Sequence, residues 1–237
     1  MLFRGMPELT VTDYDSVAEA YAAGVDTRTW NAHYERPAML AALPAVAGRD
    51  VLDAGCGPGF YADWLATRGA RVIAVDSSPR MAAIARARLG PRANVHACDM
   101  ADLGALAARS SLDLVASSLA VHYVHDLLAL FTEWARVLRP GGQLVLSTHH
   151  PFYDLKRVRR GGYTRVEIIE DHWGWLGRVR YYHRPLTALL APLAEAGFLL
   201  ERIEEPAPTE ALRAVDPEGY AKLARMPGFL IVRALKR

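Results

Sequence analysis

The chain has 237 residues, of which 51% are hydrophobic and 23% charged, and its formal net charge is +2. That length suits one large domain or one domain with a small insertion, and the composition excludes a disordered chain. The charge is too mild to mark a nucleic-acid binder by itself, and no apolar run is long enough to span a bilayer.

Residues 12 to 47 read as helices, "DYDSVAEAYAA" and then "ERPAMLAALPAV". From Asp50 onward the pattern changes. Short apolar runs, "DVLDAG", "RVIAVD", "NVHACD", "LDLVASS" and "GGQLVLSTH", alternate with the helical stretches "YADWLATRG", "SPRMAAIARARLG" and "LLALFTEWARVLRPGG". Near-continuous apolar strands between helices predict a parallel sheet covered on both faces, and right-handed crossovers make it doubly wound. Residues 151 to 184 break this alternation with "KRVRRGG" and "DHWGWLGRVRYYHR", and read as a strand-rich insertion. The helix "PLTALLAPLAEAG", the strand "FLLERIEEP" and a last strand "GFLIVRALK" then resume the pattern. The expected organisation is a single domain over 1–237. It comprises a helical cap (1–48), a cofactor-binding core (49–150), a lid (151–184) and the rest of the sheet (185–237).

Gly55, Gly57 and Gly59 follow the first strand, which ends near Asp53, and Asp76 closes the second. Glycines there permit a tight turn and close backbone approach to a ligand, and the helix beyond offers free N–H groups. A carboxylate at the end of the second strand can accept hydrogen bonds from both ribose hydroxyls. The order strand, turn, helix, strand, acid therefore points to an adenosine-containing ligand. Two details tilt away from a dinucleotide. Asp53 places a carboxylate beneath the turn, which suits an ammonium group better than a pyrophosphate. Pro58 and Phe60 also compress the G-x-G-x-x-G pattern. No P-loop motif is present.

The stretches "VLDAGCGPG", "AVDSSPRMAAIAR", "ACDMADL", "LDLVASSLAVHYVHDL" and "RVLRPGGQLVLSTHHPF" resemble, in order, the motifs of class I S-adenosylmethionine-dependent methyltransferases. The resemblance covers about residues 49 to 150 and is strongest to the methyltransferase type 11 branch, which includes ubiquinone and menaquinone methyltransferases. It implies a seven-stranded, mostly parallel Rossmann-like sheet with an antiparallel last strand, and S-adenosyl-L-methionine as cofactor. By resemblance, Asp53, Gly55 and Gly57 hold the methionine end, with Cys56 a small filler beside it. Asp76 takes the ribose. Ser77 and Met81 flank the adenine, Asp99 and Met100 meet its amino edge, and Ser117 and Leu119 pass under the sulfonium.

Methyl transfer from a sulfonium is an in-line displacement that requires alignment, exclusion of water and, for a protonated nucleophile, a base. His122, just beyond the fourth strand, and His149 and His150, at the end of the fifth, are the candidates. Adjacent side chains on a strand diverge, so at most one of the pair is expected to face the substrate. His122 and His125 have metal-ligand spacing, but no third ligand follows, and no metal is expected. Tyr14 and Tyr21 are two helical turns apart, and Trp30 follows them. The three could close over the cofactor, since an aromatic face attracts a sulfonium as it does an ammonium.

The insertion carries Lys156, Arg157, Arg159, Arg160, Arg165, Arg178, Arg180 and Arg184 against Asp154, Glu167, Glu170 and Asp171, interleaved with aromatic residues. It reads as a solvated edge, a substrate lid or a dimer surface. The expected function is methyl transfer to a small-molecule acceptor at oxygen, nitrogen or carbon. The alternatives are RNA or tRNA methylation, which the missing Asn/Asp-Pro-Pro-aromatic motif opposes for base amino groups, an NAD(P)-dependent oxidoreductase, and a non-catalytic binder. With no signal-peptide-like start and only Cys56 and Cys98, a cytoplasmic monomer or homodimer is expected.

Overall fold

The computed structural model describes residues 10–158 and 162–237; Arg159 and Arg160 lie outside them. A seven-stranded sheet runs through the molecule in the order β3-β2-β1-β4-β5-β9-β8. Its members are β1 (Asp50–Ala54), β2 (Arg71–Asp76), β3 (Ala93–Ala97), β4 (Leu112–Ser118), β5 (Leu138–His149), β8 (Phe198–Glu204) and β9 (Phe229–Lys236). The strands from β3 across to β5 pair in parallel, and β9 is antiparallel to both neighbours. This is the Rossmann-like sheet with a reversed last strand. Its order reverses at β1 and β4, which opens a crevice at their carboxyl ends.

Helices cover both faces. On one side lie α2 (Arg36–Ala42), α3 (Phe60–Thr67) and α4 (Pro79–Leu89), which bury Met39, Leu65 and Leu89. On the other lie α5 (Leu127–Val137) and α6 (Leu186–Glu195), which bury Phe131, Trp134 and Leu193. Apolar positions recurring at helical spacing in "LLALFTEW" explain why α5 packs so completely. Its Trp134 also donates from Nε1 to the Met100 carbonyl at 3.0 Å, which holds the loop after β3.

The structure differs from the sequence expectation in four places. The helix predicted through "RVLRPGG" ends at Val137, and β5 begins at Leu138. Pro140 drives the residue before it to extended backbone, and a continuing helix would have been broken there. Tyr14 lies ahead of α1 (Ala18–Val25), so its ring meets Tyr21 without sharing a helix. A π-helical turn spans Asn31–Glu35. Two short helices, α7 (Glu210–Val215) and α8 (Pro217–Leu223), stand where no element was predicted, N-capped by Thr209 and Asp216.

Residues 151 to 184 include a two-stranded antiparallel hairpin, β6 (Glu167–Trp173) and β7 (Gly177–His183). Thr12 runs alongside β7, exchanging backbone and side-chain hydrogen bonds with Arg180. Arg184 anchors the end of the hairpin by donating to the carbonyls of Val124 and, at 2.9 Å, His125. Burial lowers its guanidinium to about 10, still charged at neutral pH. Asp15 pins the N-terminal segment to the start of α4, accepting from Ser78 Oγ (2.6 Å) and the Arg80 N–H (2.9 Å). Among the described residues no helix is long and apolar enough to cross a membrane.

Candidate active site

The crevice holds two adjoining cavities. The first, of about 400 Å³, is lined by the loops after β1, β2, β3 and β4 and by the N-terminal segment. Gly55 and Gly57 form its floor. Gly55 has φ +74° and lies so close to Ala120 that a Cβ there would come within 2.4 Å of the Ala120 Cβ. Gly57, at φ +51°, has nothing within 4 Å of a Cβ position, leaving open space above its backbone. Both Asp76 oxygens are already fixed: Oδ2 accepts from the Gly57 N–H at 2.8 Å and Oδ1 from the Ser78 N–H at 2.9 Å. Each carboxylate oxygen keeps a further lone pair for a ligand hydroxyl. Burial raises the Asp76 carboxyl above its ordinary value, and the two N–H donors oppose that rise.

The predicted cofactor residues fall into two groups. Tyr14, Tyr21, Gly55, Gly57, Asp76, Ser77, Met81, Asp99, Met100 and Leu119 all line the first cavity. Asp53, Cys56, Ser117 and Trp30 do not. Asp53 is buried beneath the turn with Oδ2 unpartnered among the described residues, and its carboxyl is pushed up to about 7 by burial, with the Ala62 N–H pulling the other way. Ser117 is buried and donates to the Ala54 carbonyl at 2.8 Å, joining β4 to β1. Cys56 turns to its own loop, its thiol 3.6 Å from the Gly57 carbonyl. Trp30 lines the second cavity instead, because Asp216 Oδ2 accepts its indole N–H at 3.0 Å and holds the ring there.

The second cavity, of about 440 Å³, shares Tyr14, Tyr21, Leu119 and Tyr123 with the first. Around it the aromatic rings form a closed circuit. Tyr14 meets Tyr21 (5.1 Å between ring centres), Tyr21 meets Trp175 (5.4 Å), and Trp175 stacks on Trp173 (6.1 Å). Trp173 stacks on His149 (6.1 Å), His149 meets His122 (4.5 Å), His122 meets Tyr123 (4.3 Å), and Tyr123 returns to Tyr14 (5.1 Å). Leu119, at the boundary of the two cavities, has φ +50°, an uncommon conformation for a residue with a Cβ. Its N–H donates to the Ser147 carbonyl, which holds it there.

The candidate histidines are separated by these walls. His122 and His149 line the second cavity. His122 lies 3.3 Å by Nδ1 from Thr148 Oγ1, its Nε2 is unpartnered among the described residues, and burial holds its pKa well below the usual 6.5. His149 Nδ1 lies 3.8 Å from Asp154. His150 lines neither large cavity; its Nε2 lies 2.8 Å from Glu205 and its Nδ1 accepts from the Phe152 N–H. His125 lines the first cavity, and no group of three or more metal-binding side chains occurs among the described residues.

Two participants escaped the sequence reading. Tyr123 sat unremarked between the two histidines of "HYVH". Glu35 is 1% exposed and accepts from Ser118 Oγ (2.8 Å), Ser147 Oγ (2.5 Å) and Tyr61 Oη (2.9 Å), which ties the π-helical turn to β4, β5 and α3. Its sequence signal was weak, since it opens the stretch "ERPAMLAALPAV" beside another charged residue, Arg36.

The sheet order, the glycine turn and the backbone-held carboxylate at the end of β2 define a nucleoside-binding α/β protein. A family described as "Methyltransferase domain" matches residues 52–146. An S-adenosylmethionine-dependent methyltransferase from Mesorhizobium loti has a similar solved structure: TM-score 0.70 and 32% identity, covering 90% of this chain and 100% of that one. A malonyl-[acyl-carrier protein] O-methyltransferase of Hahella chejuensis is 34% identical over 147 residues, 60% of this chain and 52% of that protein. An uncharacterised Haemophilus influenzae protein is 26% identical over 97% of this chain and 98% of its own length. The chain belongs to the class I S-adenosylmethionine-dependent methyltransferases, and S-adenosylmethionine is its methyl donor.

Proposed function

We propose that this enzyme methylates a small, largely apolar molecule through an oxygen or nitrogen atom. The observation that carries the reading is the second cavity, which opens onto the cofactor cavity at Leu119 and Tyr123 and is walled by aromatic rings. Its volume is that of a small-ligand pocket. The family relation alone does not name the acceptor. The Hahella chejuensis relative is named as an O-methyltransferase of malonyl-[acyl-carrier protein], but this chain matches only about half of it.

On this reading Asp76 accepts both ribose hydroxyls, Gly55 and Gly57 admit the methionine portion, and Ser77, Met81, Asp99 and Met100 enclose the base. The bound cofactor supplies a methyl group on a positively charged sulfur. Tyr14, Tyr21 and Tyr123 line the boundary of the two cavities, where a ring face favours a positive charge, and the lid excludes water. His122, kept neutral by burial, accepts the hydrogen bond of the acceptor's O–H or N–H and takes its proton as the methyl arrives. His149 packs against it and restricts its ring.

The basic residues of the lid fit this better than an RNA surface, because several serve the fold. Arg157 pairs with Asp171 at 2.6 Å, Arg180 with Glu170 at 2.8 Å, and Arg184 with backbone carbonyls. The test is transfer of label from methyl-labelled S-adenosylmethionine into separate pools of metabolites, total RNA and protein. Label in the low-mass pool is expected; label confined to RNA or protein would overturn the reading.

A further inference from the structure

The inner cavity continues outward. Tyr153 and Lys222 line it and also line an open groove of about 490 Å³ on the outer surface, together with Lys156, Glu218, Arg225 and Met226. Lys222, on α8, places its ammonium 5.1 Å from the ring centre of Trp30 and 5.3 Å from that of Tyr153, so one cation stands at the junction of cavity and groove. Lys156 Nζ lies 4.6 Å from the centre of the same Tyr153 ring. Arg225 follows just after α8.

The charge in this groove is unbalanced. Lys156, Lys222 and Arg225 face a single lining carboxylate, Glu218. Among the described residues none of the three cations makes an ion pair, in contrast to Arg157 behind Tyr153, which is committed to Asp171. Asp216, an acid lining the inner cavity, is held by the Trp30 indole and the Gly219 N–H. Solvated lysines are ordinary on a protein surface. Three cations from two chain segments line a groove that also holds Tyr153, and that groove leads to a cavity where aromatic rings stand beside polar side chains such as Arg28, Asn31 and Asp171.

We infer that the acceptor is amphiphilic, with its apolar body in the inner cavity and an anionic group, a phosphate or a carboxylate, held at the mouth by Lys156, Lys222 and Arg225. The inference rests on the small-molecule reading above and adds the substrate class. The cations orient the acceptor by its tail so that its nucleophile points inward to Leu119 and His122. The anionic tail remains at the surface, where its charge is not desolvated.

The test uses the full chain loaded with S-adenosylhomocysteine and three probes of similar size: phenyl phosphate, benzoate and the neutral benzamide. Calorimetry is expected to show an anion binding at least about tenfold more tightly than benzamide, with the advantage shrinking in about 0.5 M salt. The stronger of the two anions identifies the tail. In the triple variant Lys156→Gln/Lys222→Gln/Arg225→Gln the advantage should vanish while S-adenosylhomocysteine binds as before. Anions that bind no better than benzamide, or equally well to the triple variant, would overturn the inference, as would no binding of either anion. The small-molecule reading fails separately, in the label-transfer experiment: a neutral metabolite methylated at the same rate by both proteins would sink only the anionic tail.

Discussion

The phenolic oxygens of Tyr14 and Tyr123 stand 2.6 Å apart at the boundary between the two cavities. One residue lies in the N-terminal segment and the other in the loop after β4, so the bond ties that segment to the core beside the first cavity. Burial raises both phenols well above their ordinary value, Tyr14 further so through its neighbour, and both stay neutral at working pH. Removing either hydroxyl orphans the other. Tyr14→Phe and Tyr123→Phe should each weaken S-adenosylhomocysteine binding by about 1 kcal/mol, roughly fivefold, and the double variant by little more. Calorimetry on the four proteins measures the coupling, and simple additivity would mean that the two hydroxyls act independently.

Asp76 offers a simpler test of the cofactor cavity. Its two oxygens accept the N–H groups of Gly57 and Ser78, so the side chain shapes the turn, and on the proposed reading its remaining lone pairs take a ribose. Asp76→Ala should cost about 1–3 kcal/mol of S-adenosylhomocysteine affinity. Asp53→Ala would isolate the other acid, whose carboxylate lines neither cavity. A larger loss from Asp53 than from Asp76, measured by calorimetry at one pH, would show that the acid beneath the turn governs binding.

The histidines separate by environment. His122→Gln should slow single-turnover methyl transfer by about 10²-fold or more if it takes the proton, whereas His150→Gln should leave the rate near wild type, because His150 is occupied with Glu205. The pH profile adds a sign. His122 must be neutral to accept a proton, and burial depresses its pKa, so the rate should stay flat through neutrality and fall only well below pH 6.5. A limb centred near neutrality that persists in His122→Gln would assign the base elsewhere.

What the sequence disclosed follows from how locally each feature is encoded. The turn at Gly55–Gly59 and the acid at Asp76 are joined by one strand–helix–strand unit, so spacing alone placed them together. The walls of the second cavity join distant segments. Behind those walls Glu35, which lines neither cavity, reaches Ser118 and Ser147, 83 and 112 positions away. Trp30 is drawn over the second cavity by Asp216, 186 positions away. No periodicity encodes such pairs. The helices α7 and α8 were legible and passed over: Thr209 followed by "EALRAV", and Asp216-Pro217 opening the next turn, are start signals for short helices. Tyr14 and Tyr21 were expected on one helix face, but Tyr14 lies ahead of α1, and the two rings meet through a turn.

Asp53 makes stability depend on pH in an unusual direction. Its carboxyl, ordinarily near 3.8, is pushed up to about 7, chiefly by burial and further by the charge on Asp76. Between about pH 4 and 7 the folded protein therefore holds a proton that the unfolded chain has released. Stability from this group is full below about pH 4, falls as pH rises through that window, and levels off above 7. The complete shift corresponds to about 4 kcal/mol as an upper bound. Asp53→Asn keeps a neutral group of the same shape and removes the proton. Urea unfolding of the two proteins at steps from pH 4 to 8 should show the wild type losing ground relative to Asp53→Asn, by up to about 4 kcal/mol, with the loss complete just above pH 7. A difference that is constant, or that favours the wild type as pH rises, would mean that the buried carboxyl is ionised throughout.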